Sequence, residues 1–417
     1  MEDLKYFCSH LFTSLSFDQK GEVRVCCNNY ETPKDKDGNP ISVTDKDFSM
    51  KKAFNSDVHT RIRKNILNNK KDSGCERCWQ TEDNGADSYR TIWNNTLANG
   101  FYKDVMVESV DTVGYINDPY VTFLDFTMGN KCNLICRMCN IDNANLWENE
   151  SKLLYGDDYN APIKNVSVDE RFLSDDFFKD NFMNLKQVNF LGGEPLIIKE
   201  HTDFLKQCIK HDIAKNMILS YTTNLTVLKD ELFDLWNQFK HIYLGVSVDG
   251  YNEVDDYIRY PSKWKKLEKN IKKVSKWKKE LNMDLQIHAT FQALNILNYD
   301  RLLEWVFSLG ELGFWRIPFS NWVTYPNWYD CRVLSDDLKD LAAKRINDFI
   351  DSKKDVDWTV GEEQWLGILK SNLLTLTEEL DDSEAVLKFK VYTKKLDRNR
   401  KQHIANYIPE LEKFIYG

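Results

Sequence analysis

The sequence predicts an α/β protein in which a partial (β/α)6 barrel is preceded by a small α+β domain and followed by a helical extension. The first observation is a regular alternation of short apolar runs and amphipathic segments over residues 119–320. The second is a pair of cysteine-rich segments, 8–78 and 132–139. The third is a charged stretch with helical periodicity, 321–417, which predicts the C-terminal extension.

The composition narrows the class of protein. The 417 residues are 42% hydrophobic and 29% charged, with a net charge of −9 that argues against nucleic acid as the main partner. No apolar run approaches the ~18 residues of a membrane span, and the start lacks a signal-peptide pattern. We therefore expect a cytoplasmic protein without a membrane partner. Because its ten cysteines are clustered, they predict metal ligation in a reducing compartment.

The N-terminal domain, expected over 1–95, begins with a β-hairpin. "FTSLSF" and "EVRVC" are strand-like and are joined by "DQKG", a sequence with turn chemistry. Cys8 precedes the hairpin, Cys26 ends it, and Cys75 and Cys78 follow as a Cys-x2-Cys pair, so four thiolates are available for a metal site. Cys27 should point away from Cys26 and be spare, although the two roles could be exchanged. A zinc knuckle would use the same four cysteines.

Residues 96–118 are expected to be a linker, and the barrel follows over 119–320. Alternating strands and helices at this spacing predict βαβ units and a parallel sheet, whose ligands bind at the carboxyl ends of the strands. The predicted strands are 120–127, 187–191, 217–223, 242–248, 285–292 and 314–319. The basic run 263–279 has apolar residues at helical spacing, which indicates the solvated face of a barrel helix.

The segment after the first barrel strand contains a cysteine trio. Cys132, Cys136 and Cys139 form a Cys-x3-Cys-x2-Cys pattern in one short loop. Three thiolates can hold three irons of a [4Fe–4S] cluster and leave the fourth iron open for another ligand. A four-ligand zinc site would need a distant fourth residue.

Three further motifs lie at later strand ends, and together with the trio they resemble the radical S-adenosylmethionine (SAM) superfamily. They are "LGGEP" after the second strand, "TTNLT" after the third and "VSVDG" with a following arginine after the fourth. The resemblance implies a reductive cleavage of SAM to a 5′-deoxyadenosyl radical, which abstracts hydrogen from a substrate. It places the following residues at SAM: Met138, Gly192, Gly193, Glu194, Ser247, Asp249 and Arg259. Leu225 replaces the glycine of the family's Thr-Asn-Gly element, so a role for Asn224 is not expected.

The N-terminal cysteines resemble the auxiliary-cluster domains called SPASM and twitch. Gly21 to Cys26 fits their Gly-x4-Cys element, and "CERCWQTE" fits the later Cys-x2-Cys. In the best-known members this domain follows the radical SAM core, whereas here it precedes the core. The resemblance implies an auxiliary [4Fe–4S] cluster on Cys8, Cys26, Cys75 and Cys78.

The two resemblances together predict an oxidoreductase. The preferred function is oxidation or crosslinking of a peptide or protein side chain, with the auxiliary cluster as an electron relay and a donor such as flavodoxin or ferredoxin. A dehydrogenase or rearrangement enzyme for a small molecule or nucleotide is one alternative, and a non-enzymatic iron–sulfur or zinc scaffold is another. The sequence identifies no catalytic base.

A few residues near the predicted barrel mouth are weaker candidates. Three carboxylates lie close to the motifs in sequence, namely Asp255, Asp256 and Asp330. Cys331 could donate hydrogen to a substrate radical, but a buried structural thiol is the favoured interpretation, as it is for Cys208. The aromatic run around Trp322, Tyr325, Trp328 and Tyr329 could line a pocket, although a packing seam is favoured.

Overall fold

The computed structural model describes residues 4–83, 85, 87–97, 101–156, 170–380 and 382–417. Its strands are β1 (Ser14–Phe17), β2 (Val23–Arg24), β3 (Phe123–Thr127), β4 (Gln187–Leu191), β5 (Ile218–Thr223), β6 (His241–Ser247), β7 (Met283–Phe291) and β8 (Phe319–Trp322). The helices up to residue 210 are α1 (His10–Thr13), α2 (Met50–Phe54), α3 (Asp57–Leu67), α4 (Glu76–Asp83), α5 (Tyr89–Leu97), α6 (Phe101–Glu108), α7 (Glu148–Tyr155), α8 (Asp175–Asn181) and α9 (Lys199–Lys210). The later helices are α10 (Glu231–Trp236), α11 (Glu253–Ile258), α12 (Trp264–Trp277), α13 (Tyr299–Ser308), α14 (Asp336–Ser352), α15 (Val360–Leu376), α16 (Ser383–Arg400) and α17 (Glu412–Tyr416).

The eight strands form one sheet in the order β2-β1-β3-β4-β5-β6-β7-β8. Pairing is parallel for β1–β3, β3–β4, β6–β7 and β7–β8, and antiparallel for the β1–β2 hairpin. The predicted fold class, a partial barrel with a helical C-terminal extension, is confirmed.

The last barrel strand is displaced from its predicted position. The prediction was 314–319, whereas β8 covers Phe319–Trp322 and Phe314 forms only an isolated bridge with Leu285. The backbone N–H of Arg316 donates to the carboxylate of Glu362 at 2.7 Å. Pro318 carries no backbone N–H. The N–H of Trp315 still donates to the carbonyl of Leu285 in β7, but positions 316 and 318 offer no donor to continue the ladder.

The N-terminal hairpin is present, but it has a partner that the sequence did not reveal. β1 and β2 pair through Ser16–Arg24 and Phe17–Val23. β1 also pairs in parallel with β3, so the hairpin extends the barrel sheet. The segment predicted as a linker, 96–118, contains α6, while its residues 98–100 lie outside the described part of the chain.

The structure divides into two compact units. The first comprises residues up to 130, 163–220 and 238–240, and the second comprises 131–162, 221–237 and 241–417. The domain boundaries expected from the sequence stay a prediction. Among the described helices, none has the length and apolar character needed to cross a bilayer.

The sheet of the first unit has one apolar and one polar face. Phe126 of β3 packs among Phe17, Phe172 and Phe204, with ring centroids 5.5–5.9 Å apart. Because side chains alternate along a strand, Asp125 lies on the opposite face. There the strand register aligns Ser16, Asp125 and Asn189.

The second unit shows the predicted amphipathic helix and the C-terminal extension. α12 buries the apolar residues named by the pattern: Trp264, Leu267, Ile271, Val274 and Trp277. In the extension, Asn372 of α15 donates to the backbone oxygen of Ser320 in β8 at 2.7 Å. Its helices therefore pack directly against the last strand of the sheet.

Candidate functional site

The cysteine trio lies in the second unit, in a segment that we call the cysteine loop (131–140). Cys136 is buried, Cys132 and Cys139 are half-buried, and none of the three is in a disulfide. Burial raises the pKa of Cys136, and the neighbouring Cys139 and Cys132 thiols raise it further. Burial also raises the pKa of Cys139 to about 12. The three thiols therefore lie close enough to interact electrostatically.

A short backbone ladder joins the cysteine loop to the segment that contains Arg259. The N–H of Ile135 donates to the carbonyl of Tyr260 at 2.7 Å, and the N–H of Arg137 donates to the carbonyl of Ile258 at 2.8 Å. Arg259 lies near the Cys136 thiol, and its positive charge acts against the burial that raises the pKa of Cys136. The ladder thus brings a cation to the thiols.

Asp249 holds this cation in place. Arg259 donates to one carboxylate oxygen of Asp249 at 2.6 Å, and the N–H of Thr290 donates to the other at 2.7 Å. The backbone of Asp249 is also fixed, since its N–H donates to Asp255 and its carbonyl accepts from Asn295. The Asp249 side chain is only 1% exposed. Its hydrogen bonds fix the position of Arg259.

Asn224 contacts the cysteine loop, which the sequence did not predict. Its Nδ2 lies 4.0 Å from Cys132 Sγ and donates to Asn133 Oδ1 at 3.0 Å. Leu225, at the position of the family's glycine, adopts a left-handed φ of 48° and is fully buried. Its N–H donates to Thr223 Oγ1 at 3.0 Å. Leucine therefore takes the backbone conformation for which glycine is usually needed.

The remaining residues predicted to contact SAM lie in both units of the structure. In the second unit, Ser247 is the last residue of β6 and Met138 is half-buried in the cysteine loop. In the first unit, Gly192 and Gly193 follow β4 with positive φ angles of 76° and 48°. A Cβ on Gly192 would meet Thr127 Cγ2 at 2.3 Å, so only glycine fits there. Glu194 is buried and accepts from the N–H of Leu196 at 3.0 Å.

The four N-terminal cysteines converge in the first unit. Cys8, Cys26, Cys75 and Cys78 all line one cavity of about 20 Å³. Burial raises the pKa of Cys8 to about 12, and the Cys78 thiol adds to this effect. Burial also raises the pKa of Cys26 and of Cys75, and for each the Cys8 thiol contributes. These thiols need the positive charge of a bound metal to become thiolates.

The architecture of this four-cysteine set explains its convergence. Cys75 ends a short turn and Cys78 lies three residues on in α4, so the two lie on one face of the helix start. Asn29 Nδ2 donates to the carbonyl of Gly74 at 2.8 Å, which ties this turn to the end of the hairpin. The N–H of Asn29 donates in turn to the carbonyl of Cys26 at 3.2 Å.

Neither cysteine set has the geometry of a mononuclear metal site. No three His, Cys, Asp or Glu side chains in the described ranges converge on one point as a single ion requires. A four-iron cluster is larger than one zinc ion and holds its thiolates farther apart. In number and kind, three thiols in one loop and four around one cavity match the ligand sets of clusters with one open iron and with no open iron respectively.

A polar group beside the four-cysteine set was missed in the sequence. Cys27 is exposed as a residue, but its sulfur lies among neighbouring atoms and hydrogen-bonds the Tyr89 hydroxyl. The loss of water around the sulfur raises the pKa of the Cys27 thiol to about 12, and the charge of Asp125 adds to this effect. Asp125 is 3% exposed and accepts from Asn189 Nδ2 at 2.8 Å. Burial without a cationic partner raises the pKa of Asp125 to about 6. An acidic residue in an apolar strand was the only signal.

The weaker candidates from the sequence have structural roles. Asp330 pairs with Arg332 and accepts from Trp322, and Asp256 accepts from the N–H of Trp264. Asp255 is buried, which raises its pKa to about 8. Cys208 and Cys331 are fully buried, as the favoured interpretation predicted. Trp328 and Tyr329 pack on α16 through Tyr392 and Phe389, whereas Tyr325 is exposed.

Comparison with known families identifies the central region. Residues 126–285 match the family described as the Radical SAM superfamily. This range contains the trio and the three later motifs. Comparison with curated proteins gives no match.

Comparison with solved structures gives distant likenesses. A structure of native anSMEcpe with bound AdoMet is 16% identical, with a TM-score of 0.37, over 56% of this chain and 60% of that one. Streptococcus suis SuiB bound to S-adenosylmethionine is 15% identical, with a TM-score of 0.35, over 67% of this chain and 58% of that one. The chain thus spans about three-fifths of each of these proteins.

Proposed function

Because residues 126–285 match the family described as the Radical SAM superfamily, we propose that this protein cleaves SAM reductively and abstracts hydrogen from a substrate. The observation that carries this proposal is the convergence of the Cys132, Cys136 and Cys139 thiols beside Arg259. In this role the three thiolates hold a [4Fe–4S] cluster with one open iron. When bound, cluster and SAM together supply the 5′-deoxyadenosyl radical that abstracts hydrogen.

In this role, the residues that the resemblance assigns to SAM bind and orient it. Arg259, fixed by Asp249, supplies a positive charge for the carboxylate of SAM. Glu194 accepts from its ammonium group, and Gly192 and Gly193 allow the backbone to approach it. Ser247 and Met138 complete the set. Asn224 supports Cys132 from outside by its contact with the sulfur.

The four-cysteine set is proposed to hold an auxiliary [4Fe–4S] cluster. Cys8, Cys26, Cys75 and Cys78 supply every ligand, so such a cluster has no open iron for a substrate. This set therefore suits an electron relay in a net oxidation. Asp125 is the proposed acceptor of the proton that the substrate loses, since its carboxylate is buried and has no cationic partner among the described residues.

The proposed substrate is a peptide or protein side chain. The Ser-x-Asp-Gly element at Ser247–Gly250 and the four-cysteine set resemble the peptide-modifying branch of the superfamily. A small-molecule dehydrogenase or a nucleotide rearrangement enzyme is the alternative, and a flavodoxin or ferredoxin is the proposed electron donor. Peptide and small-molecule substrates are distinguished by incubating the reduced enzyme with SAM and each class of compound and measuring product mass.

Metal analysis tests the proposal first. Protein purified without oxygen should contain about eight irons per chain and no zinc, as two [4Fe–4S] clusters require. With a strong reductant it should convert SAM to methionine and 5′-deoxyadenosine. Cys136→Ala should remove about four irons and all SAM cleavage, whereas Cys75→Ala should remove about four irons and leave SAM cleavage.

A matched control and the contradicting results are available in the same chain. Cys208→Ala removes a buried thiol that belongs to neither set, and it should leave the iron content unchanged. About four irons with one zinc would limit the N-terminal set to a structural role. Absence of iron and of SAM cleavage after reconstitution would exclude the radical SAM activity.

A further inference from the structure

One carboxylate in the C-terminal helix α16 binds both segments of the backbone ladder. Arg137 of the cysteine loop donates to Asp397 Oδ1 at 2.6 Å. The hydroxyl of Tyr257, two residues before Arg259, donates to the same oxygen at 2.8 Å. Asp397 therefore connects the loop that carries Cys136 with the segment that carries Arg259.

The two residues that contact Asp397 are close in sequence to the two residues that interact at the site. In the ladder, the backbone groups of 135 and 137 bond to those of 260 and 258. Tyr257 and Ile258 are the last residues of α11, and Arg259 is its C-cap. Arg137 and Tyr257 meet at Asp397, where the guanidinium stacks 3.7 Å from the ring centroid of Tyr257. Cys136 and Arg259 are the intervening residues, and they interact with each other.

Asp397 is itself fixed and inaccessible to water. Its other oxygen accepts from the N–H of Ile404 at 2.9 Å and from the hydroxyl of Tyr416 at 3.2 Å. The Arg137 and Asp397 side chains are 0% and 2% exposed. A buried ion pair of this kind is sensitive to loss of one partner, because the other charge is then left unpaired in an apolar environment.

A second arginine on the same helix holds the other side of the loop. Arg400, which follows Asp397 by three residues on α16, donates to the carbonyl of Ile135 at 2.7 Å. It also forms a buried ion pair with Glu150 of α7. The residues on both sides of Cys136 are thus bonded to α16, Ile135 through its carbonyl and Arg137 through its side chain.

We propose that Asp397 is a positioning residue for the cofactor site. By holding Arg137 and Tyr257 together, it keeps Cys136 and Arg259 side by side, so that cluster retention and SAM binding both depend on α16. This inference rests on the proposed function, because it assigns the trio to a cluster and Arg259 to SAM. Asp397 lies behind the ladder and is not expected to touch either group.

The test combines three variants with one control. Asp397→Asn leaves Arg137 without a counter-charge, Asp397→Ala also removes the acceptor, and Tyr257→Phe removes only the hydroxyl. Glu384→Gln is the matched control, since this residue lies on the same helix in an exposed ion pair with Lys388. Measurements are iron per chain, the change in the electron paramagnetic resonance spectrum of the reduced protein on adding SAM, the Kd for SAM, and the thermal midpoint.

The expected results separate positioning from folding. Asp397→Asn should retain the four-cysteine irons, lose irons of the trio and bind SAM roughly 10- to 100-fold more weakly. Tyr257→Phe should retain all irons and bind SAM about 10-fold more weakly, with a smaller spectral change on adding SAM. Glu384→Gln should match the original protein. If the Asp397→Ala variant does not fold, the Tyr257→Phe variant tests the positioning role of Asp397.

Two other outcomes have distinct meanings. If the original protein holds iron and responds to SAM, but Asp397→Asn and Tyr257→Phe behave like Glu384→Gln, Asp397 has no positioning role. If the original protein holds no iron and shows no spectral response to SAM, this result contradicts the proposed function. It does not contradict the connection between the cysteine loop and the Arg259 segment through α16.

Discussion

Leu225 shows how a single residue can depart from a family pattern while the local backbone is kept. Its φ of 48° and the bond from its N–H to Thr223 keep the turn in which Asn224 contacts Cys132. For a non-glycine residue this conformation costs about 1–2 kcal/mol. The full burial of the leucine side chain offsets this cost, since such burial contributes about 1.5–3 kcal/mol.

This strain leads to a prediction at the residue scale. Leu225→Gly and Leu225→Ala both lose the buried side chain, but only glycine adopts a positive φ without strain. Leu225→Gly should therefore be the more stable of the two by about 1 kcal/mol. Chemical unfolding measures the difference. Leu219 of β5 is also fully buried and serves as the control, where the alanine variant should be more stable than the glycine variant. A more stable glycine variant at both positions would contradict backbone strain at Leu225.

Asp125 gives a second residue-scale prediction. Burial raises its pKa from 3.8 to about 6, so between these values the folded chain binds more protons than the unfolded chain. Stability should fall as pH rises from about 4 to about 6, by on the order of 3 kcal/mol from this group. Asp125→Asn should remove this fall and raise the thermal midpoint at pH 7. An unchanged pH dependence of stability in the variant would show that folding does not raise the pKa of Asp125.

At the scale of secondary structure elements, Glu362 links the start of α15 to the segment before β8. It caps α15 by a reciprocal bond with Thr359, and it accepts from Arg316. Burial acts to raise its pKa, but the hydrogen bonds from Arg316 outweigh burial and lower the pKa to about 2. The carboxylate form is therefore favoured in the folded protein.

The pH dependence of this link can be predicted. Since the pKa is lowered, the stability from Glu362 is present above about pH 4.5 and is lost as pH falls towards 2. Glu362→Gln should cost about 1–3 kcal/mol at pH 7 and nothing near pH 2. Thermal unfolding over this pH range measures the change. Glu363→Gln, at the exposed neighbour, is the control, and an equal loss in both variants would argue against the Arg316 contact.

Secondary structure elements could be predicted where the pattern that specifies them lies within a short stretch of sequence. β4 matches its predicted bounds, and the hairpin follows from two apolar runs around "DQKG". The pairing of β1 with β3 joins segments about a hundred residues apart, and no local pattern specifies such a partner. The same holds for Arg137 and Asp397, which are 260 residues apart. The contact of Asn224 was not predicted because Leu225 replaces the glycine that would have indicated the turn.

At the scale of the whole molecule, the two cysteine sets differ in how much chain they constrain. The trio lies within one loop, whereas Cys8, Cys26 and Cys75 come from three distant segments of the first unit. Ligands that close long loops restrict the unfolded chain more than ligands within one loop. A cluster on the four-cysteine set should therefore stabilise the N-terminal region well beyond its immediate ligands.

Metal removal tests this difference. After chelation of iron without oxygen, limited proteolysis followed by mass spectrometry should show new cleavage sites within residues 4–97, while 241–417 stays protected by its buried core. Cys78→Ala should reproduce the new N-terminal sites in protein that retains about four irons. Cys136→Ala should not reproduce them, because its loop remains bonded to the Arg259 segment and to α16 without metal. Equal cleavage patterns with and without iron would mean that packing of the hairpin on β3, and not metal ligation, holds the N-terminal region together.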